Sequence, residues 1–308
     1  MLPHALLLCY SEYMAKQTSQ QEFGGNWTQQ KLELLQKYLS AYTKIFDRNE
    51  RARFFRTTYV DAFAGTGYMQ IAEQESGLFS DKLDDLETYQ KGSVIRALEV
   101  EPGFDHYLFI EKSPSRCEEL NAIKRNHSAR SIEIKRADAN SFLIHWCQET
   151  DWKRNRAVVF LDPFGTSVDW RTIESVAETG AIDLWILFPL FAVNRMLVRG
   201  RKPPEGWSRR LTQLLGTTEW AAQFYTDPPP MLFDLHSEIG APQEKIANYE
   251  EIGRFFVDRL KKTFVAAAEP LVLKNSRNSP LYLLCFAAGN KAGAGAGINI
   301  AKSIIGRQ

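Results

Sequence analysis

Five short apolar runs recur along the chain: "TTYVDAF" (57–63), "HYLFIEK" (106–112), "SIEIKRAD" (131–138), "AVVFLDP" (157–163) and "IDLWILFPL" (182–190). Stretches with the spacing of helical faces separate them, near residues 93–100, 115–126, 140–149 and 169–179, the last closed by Gly180 as a C-cap. Apolar strand-like runs that alternate with helical ones are the signature of a parallel sheet covered by helices on both faces. The pattern predicts an α/β fold with a doubly wound, Rossmann-like parallel sheet. Two further runs, "FVAAAEPLVLK" and "PLYLLCFAAG", flank the turn-rich "NSRNS" and predict a C-terminal antiparallel hairpin.

From Trp27, "WTQQKLELLQKYLSAYTKIF" places Leu32, Leu35, Leu39, Tyr42 and Phe46 on one helical face, with Thr28 able to cap its start. This helix is expected to pack on the domain edge in a structural role. Residues 195–263 break the alternation with a basic segment, two helical patterns and "DPPP", which predicts a helical insertion. The α/β domain then comprises 27–194 and 264–308, with 1–26 a flexible leader in which Met14 is a candidate true start. "AGAGAG" at 292–297 reads as a flexible loop.

Composition narrows the class. The 308 residues are 44% hydrophobic, enough for a substantial core, and 38 basic against 37 acidic residues leave a net charge of +1. Such a balance gives no global pull toward nucleic acid, so any such contact must be a local patch. Cys9, Cys117, Cys147 and Cys285 are far apart, and the five histidines show no metal-ligand spacing. Neither a disulfide framework nor a metal site is expected, and cytoplasmic residence follows as the simple reading. No segment approaches the roughly 20 apolar residues that span a bilayer, so no membrane association is expected.

In open α/β sheets ligands bind beyond the carboxyl ends of the strands, and four of these ends are acidic. The first carries Asp61, Phe63, Gly65 and Gly67 in "DAFAGTG"; the second Glu111; the third Asp138 with Asn140; the fourth Asp162, Pro163 and Phe164 in "LDPFG". A dinucleotide fingerprint would need a third glycine at position 70, which is Gln, and a P-loop would need GK[ST], which is missing. Glu111 is placed to accept from ribose hydroxyls or to pair with Lys112; Asp138 can meet an adenine amine or cap the helix starting near Asn140. A glycine loop, two acids and no phosphate cradle together describe a site for a nucleoside without phosphates, of which S-adenosylmethionine is the common cofactor.

With those residues in place, the chain resembles class I S-adenosylmethionine-dependent methyltransferases, and more closely the bacterial three-Cys-motif partner proteins. The resemblance is carried in order by "KLELLQKYLSAYTKIF", "YVDAFAGTG", "KGSVIRAL", "HYLFIEKSPSRCEEL", "RADAN", "AVVFLDPFGTSVDW", "IDLWILFPLFAVNRML" and "WSRRLTQLLGTTEW". It implies that Asp61, Phe63, Gly65, Gly67, Glu111, Asp138 and Asn140 hold the cofactor. It also implies a neighbour-encoded partner, a phage Gp37/Gp68-like protein carrying the three cysteines.

"LDPFG" differs from the [DNS]PP[YFW] loop of base-amine methyltransferases by one proline and by an aromatic one place early, and is similar to the corresponding loop of tRNA guanine-N2 dimethyltransferases. The implied roles are Asp162 orienting an exocyclic amine of a nucleic-acid base and Phe164 stacking on that base or walling its pocket. Arg195, Arg199, Arg201, Lys202, Arg209 and Arg210, with Trp207 among them, offer a track for nucleic acid or a docking face for the partner. A catalytically silent subunit binding that partner or nucleic acid is the alternative expectation.

Overall fold

The computed structural model of the chain describes residues 26–69, 90–226 and 244–306. The leader, the Met14 start, Gln70 and the "DPPP" turn lie outside the described residues. Helix α1 (Asn26–Arg48) opens the structure, followed by β1 (Arg56–Asp61), the short β2 (Tyr68–Met69) and β3 (Gln90–Lys91), and α2 (Ser93–Leu98). Then come β4 (His106–Glu111), α3 (Pro114–Asn126), β5 (Ile132–Arg136), α4 (Ala139–Glu149), β6 (Asn155–Leu161), α5 (Trp170–Glu178) and β7 (Ile182–Phe188). Residues 190–263 hold α6 (Leu190–Met196), α7 (Glu205–Leu215), α8 (Trp220–Phe224), β8 (Tyr225–Thr226), β9 (Glu244–Lys245) and α9 (Tyr249–Thr263). β10 (Ala266–Ala267), β11 (Leu271–Lys274), β12 (Pro280–Ala288) and α10 (Ala294–Ile305) complete it.

Eight of the described strands form one sheet in the order β10-β12-β7-β6-β1-β4-β5, with β11 also pairing β12. The β5-β4-β1-β6-β7 block is parallel, while β12 runs antiparallel to β7, β10 and β11. The chain thus winds outward from β1 through β4 to β5, returns to β6 beside β1, and winds the other way through β7. This is the doubly wound, Rossmann-like α/β architecture, and the reversal puts its switch point between the carboxyl ends of β1 and β6.

Each face of the sheet carries its own core. Leu34, Leu35 and Tyr38 of α1, with Val94, Leu98 and Ala301, cover Tyr59, Phe109, Val158, Phe160, Trp185 and Phe286. The opposite core joins Val60, Val159 and Ile186 to Leu143, Trp170, Leu211, Phe224, Ile252 and Phe256. The 195–263 stretch therefore shares this second core with the sheet. Each fully buried side chain of this size contributes about 1.5–3 kcal/mol of hydrophobic stabilisation.

Three expectations need correcting. Helix α1 begins at Asn26, so Thr28 lies inside it and is buried rather than capping its start. The "AGAGAG" stretch is not a loop: from Ala294 it is the first part of α10. A Cβ on Gly297 would sit 3.3 Å from the Phe286 ring and 3.4 Å from the Tyr38 hydroxyl, so the small residues let α10 approach the sheet closely. The antiparallel end is also more than a hairpin, because β10 extends it along the same edge of β12. Among the described residues no helix is long and apolar enough to cross a membrane.

Candidate functional site

β1 and β6 run in parallel with Asp61 opposite Phe160, so Asp61 and Asp162 flank the switch point, one from each strand end. Strand alternation places Tyr59 and Asp61, like Val158, Phe160 and Asp162, toward the face covered by α1 and α2. Asp61 is fully buried. Ser93 Oγ of α2 donates to its Oδ2 at 2.5 Å, the Tyr59 hydroxyl donates to the same oxygen at 3.4 Å, and the Phe63 N–H donates to Oδ1 at 3.3 Å. Burial raises its pKa from 3.8 to about 7; the Ser93 hydrogen bond opposes the rise, the Asp162 charge adds to it, and the Phe63 N–H and Lys31 oppose it.

The glycine loop after β1 turns on two residues in the left-handed region, Gly65 at φ +59° and Gly67 at φ +78°. A Cβ on Gly67 would also displace the terminal methyl of Ile123, whereas the space above Gly65 is open. The Gly65 N–H donates to Glu111 Oε2 at 3.1 Å and the Ser113 N–H to Oε1 at 2.7 Å. Glu111 thus ties the loops after β1 and β4 together at the lip of the crevice, keeping a second lone pair on each oxygen for hydroxyl donors.

Asp138 and Asn140 carry visible local duties. Asp138 is the N-cap of α4, accepting from the Ser141 N–H at 3.1 Å and from its hydroxyl at 3.2 Å. Asn140 donates to the Ser167 carbonyl at 2.8 Å and accepts from the Asp169 N–H at 2.9 Å and the Thr172 hydroxyl at 2.8 Å. It clips the far end of the loop that begins at Asp162.

That loop is the most exposed part of the crevice. Pro163 is buried, Phe164 is 95% exposed, and Gly165 turns at φ +61°. Asp162, with a quarter of its side chain exposed, pairs through Oδ2 with Lys31, which is 2% exposed. Oδ1 has no hydrogen-bond donor among the described residues. Trp27 stacks on Tyr282 of β12 with centroids 4.8 Å apart, and the Lys31 ammonium lies 5.2 Å from the Trp27 ring. Through Lys31 this aromatic pair lies beside the same crevice, and burial, then the Asp162 charge, raise the Tyr282 pKa.

Lys31, Trp27, Ser93 and Tyr282 are absent from the candidates drawn from the sequence. Helix α1, expected to be purely structural, also delivers a cation to the strand ends. The available signal was positional: Lys31 stands four residues before Leu35 and seven before Tyr38, on the face that packs.

The basic stretch is divided in its use. Arg199, Arg201, Lys202 and Arg209 are exposed, Trp207 is 45% exposed, and the Arg195 guanidinium lies 5.7 Å from the Phe191 ring. Arg210 instead donates to Asp169 Oδ1 at 2.6 Å, Gln213 Oε1 at 2.9 Å and the Val168 carbonyl at 2.6 Å, holding the same loop end that Asn140 clips.

Chemically, the crevice offers carboxylates and, among the described residues, one buried ammonium already paired to one of them. A pyrophosphate would meet repulsion here, and the Gly65 N–H is already committed to Glu111. The carboxylate oxygens are acceptors, suited to hydroxyl donors and to a positively charged ligand centre. No group of three or more His, Cys, Asp or Glu among the described residues could hold a metal ion.

No family model matches the chain, and no curated protein does. Among solved structures, protein LPL1258 from Legionella pneumophila, of the DUF519 family, is similar at 12% identity over 92% of this chain and 93% of its own, with a TM-score of 0.48. An S-adenosylmethionine-dependent methyltransferase from Clostridium acetobutylicum is similar at 10% identity over 92% of this chain and all of its own, with a TM-score of 0.35. An rRNA methylase from Streptococcus thermophilus shares 12% identity over 69% of this chain and 94% of its own, with a TM-score of 0.30. None is similar enough for a residue of its site to be transferred, so the roles of the crevice residues rest on their own geometry.

Proposed function

We propose that the chain is an S-adenosylmethionine-dependent methyltransferase of the three-Cys-motif partner kind, acting on an exocyclic amine of a nucleic-acid base. The observation that carries the reading is Asp162: across the switch point from the glycine loop, its Oδ1 meets no donor among the described residues, and it stands beside an almost fully exposed Phe164.

Bound S-adenosylmethionine supplies a methyl group on a positively charged sulfur, ready for attack by a nitrogen lone pair. The open space above Gly65 admits a ligand against the backbone, and Glu111 meets hydroxyl donors at the lip. Asp162 Oδ1 accepts an N–H of the amine, which fixes the direction of the nitrogen lone pair and holds the proton that must leave once nitrogen carries the methyl group. That proton passes to water on the open side of the carboxylate. Phe164 lends its ring to the base, and the exposed Arg199, Arg201, Lys202 and Arg209 attract the phosphate backbone.

The test is transfer of a tritiated methyl group from S-adenosylmethionine to bulk RNA and single-stranded DNA, with and without the neighbour-encoded three-Cys protein. The reading expects label in one of them, lost in Asp162→Ala. Label in neither, under either condition, overturns it.

A further inference from the structure

Lys31 stands where a helix facing a hydrophobic core would carry leucine. It lies on the buried face of α1 and is 2% exposed, and an ammonium is among the costliest groups to remove from water unless it is paired. Its partner is not a neighbour on the same helix but Asp162, 131 residues away in sequence, at the end of β6.

We propose that Lys31 is the positioning residue of Asp162: its ammonium occupies Oδ2 from behind and leaves Oδ1 as the one oriented acceptor that meets the substrate amine. This role rests on the methyltransferase reading above. An aspartate side chain free to change its χ1 rotamer would aim its carboxylate over a range of directions, whereas one tied through Oδ2 holds a single rotamer and presents a single lone-pair set.

The surroundings hold the cation in place. Trp27 lies against it and is itself stacked on Tyr282, so the wall beside Lys31 is aromatic. The loop that Lys31 holds at Asp162 is held at its other end by Asn140 and Arg210, leaving Phe164 and Gly165 between two fixed anchors. Asp61, across the switch point, feels the same cation. Among the described residues, the groups around it are the Tyr59 and Ser93 hydroxyls, the Phe63 N–H, the Asp162 carboxylate and the Lys31 ammonium, and Lys31 is the one cation among these.

The experiment uses the full chain with 13C-labelled aspartate, its resonances assigned with Asp162→Asn and Asp61→Asn. Three-bond couplings report the Asp162 χ1 rotamer, and the carboxyl shift of Asp61 is followed against pH. The expected result is one Asp162 rotamer in the wild type, averaging over rotamers in Lys31→Met, and a single rotamer restored in Lys31→Arg. The Asp61 titration, near pH 7 in the wild type, moves upward in Lys31→Met and returns in Lys31→Arg.

Should Lys31→Met not fold, Lys31→Gln keeps a hydrogen bond but removes the charge; it is then expected to move the Asp61 titration upward while Asp162 stays ordered. An Asp61 titration unmoved in the charge-free variant, or an Asp162 equally ordered in Lys31→Met, overturns the role. Calorimetry with S-adenosylhomocysteine on the wild type separates the two levels. Absence of binding overturns the methyltransferase reading and this role with it; binding together with an ordered Asp162 in Lys31→Met overturns this role alone.

Discussion

The fully buried Asp61 has a thermodynamic signature. Its pKa is raised from 3.8 to about 7, chiefly by burial. Between those values the folded chain keeps a proton that the unfolded chain has released, so stability falls as pH rises through the window. Below about pH 4 both states are protonated and the group is neutral in its effect; above about pH 7 both are ionised and the full penalty is present. At about 1.4 kcal/mol per decade, a rise from 3.8 to about 7 corresponds to about 4 kcal/mol, a sizeable part of the stability of an ordinary domain.

Asp61→Asn keeps the shape and cannot ionise. It retains Oδ1 for the Phe63 N–H and turns an amide N–H toward the Ser93 hydroxyl oxygen. Relative to the wild type, the variant should gain about 1.4 kcal/mol per pH unit from about pH 4 to about pH 7 and then level off. Urea unfolding of both proteins at intervals from about pH 4 to about pH 8.5 measures this difference. Other titrating groups cancel in it, including Asp183, whose pKa burial raises to about 6. A flat difference, or one in which the wild type gains as pH rises, would show that Asp61 is ionised throughout and refute the reasoning.

Gly216 closes α7 at φ +69°, and a Cβ there would overlap the rigid Trp170 ring, so Gly216→Ala should destabilise by roughly 2–4 kcal/mol from strain and overpacking together. Gly65→Ala, with the same sign of φ but open space, should cost only about 1–2 kcal/mol in urea unfolding. Arg210→Ala removes charged hydrogen bonds to Asp169 and Val168 and should lower stability by about 1.5–3 kcal/mol. Arg209→Ala, whose one ion pair is a 3.9 Å contact with Glu205, should leave stability within about 0.5 kcal/mol while weakening single-stranded RNA binding in a salt-dependent way, read by fluorescence anisotropy. Phe164→Ala should likewise be neutral in thermal melts, since the ring is 95% exposed, while reducing methyl transfer.

What could be read from the sequence was what is local. An apolar run ending in an acid reports a strand and its carboxyl end, which is how Asp61, Glu111 and Asp162 stood out and why the doubly wound order could be anticipated. The functions of Asp138 and Asn140 depend on partners: the first caps its own helix, the second grips a loop 27–32 residues downstream. Lys31 was hidden because its meaning lies in a contact 131 residues away, and a lysine in a helix normally points to water. The glycines of α10 read as a loop because glycine is a weak helix former; only the sheet beneath, with Phe286 and Tyr38 close to Gly297, reveals why small residues are needed there.

The central claim, that the crevice between β1 and β6 is built for a nucleoside bearing a positive centre rather than for a phosphate, is tested most directly by calorimetric titration with S-adenosylmethionine and S-adenosylhomocysteine, with ATP and NAD as comparisons. The account predicts saturable one-to-one binding of the first two, abolished by Gly65→Val, and no heat from the phosphorylated ligands. Binding of ATP or NAD with none of S-adenosylmethionine would contradict it.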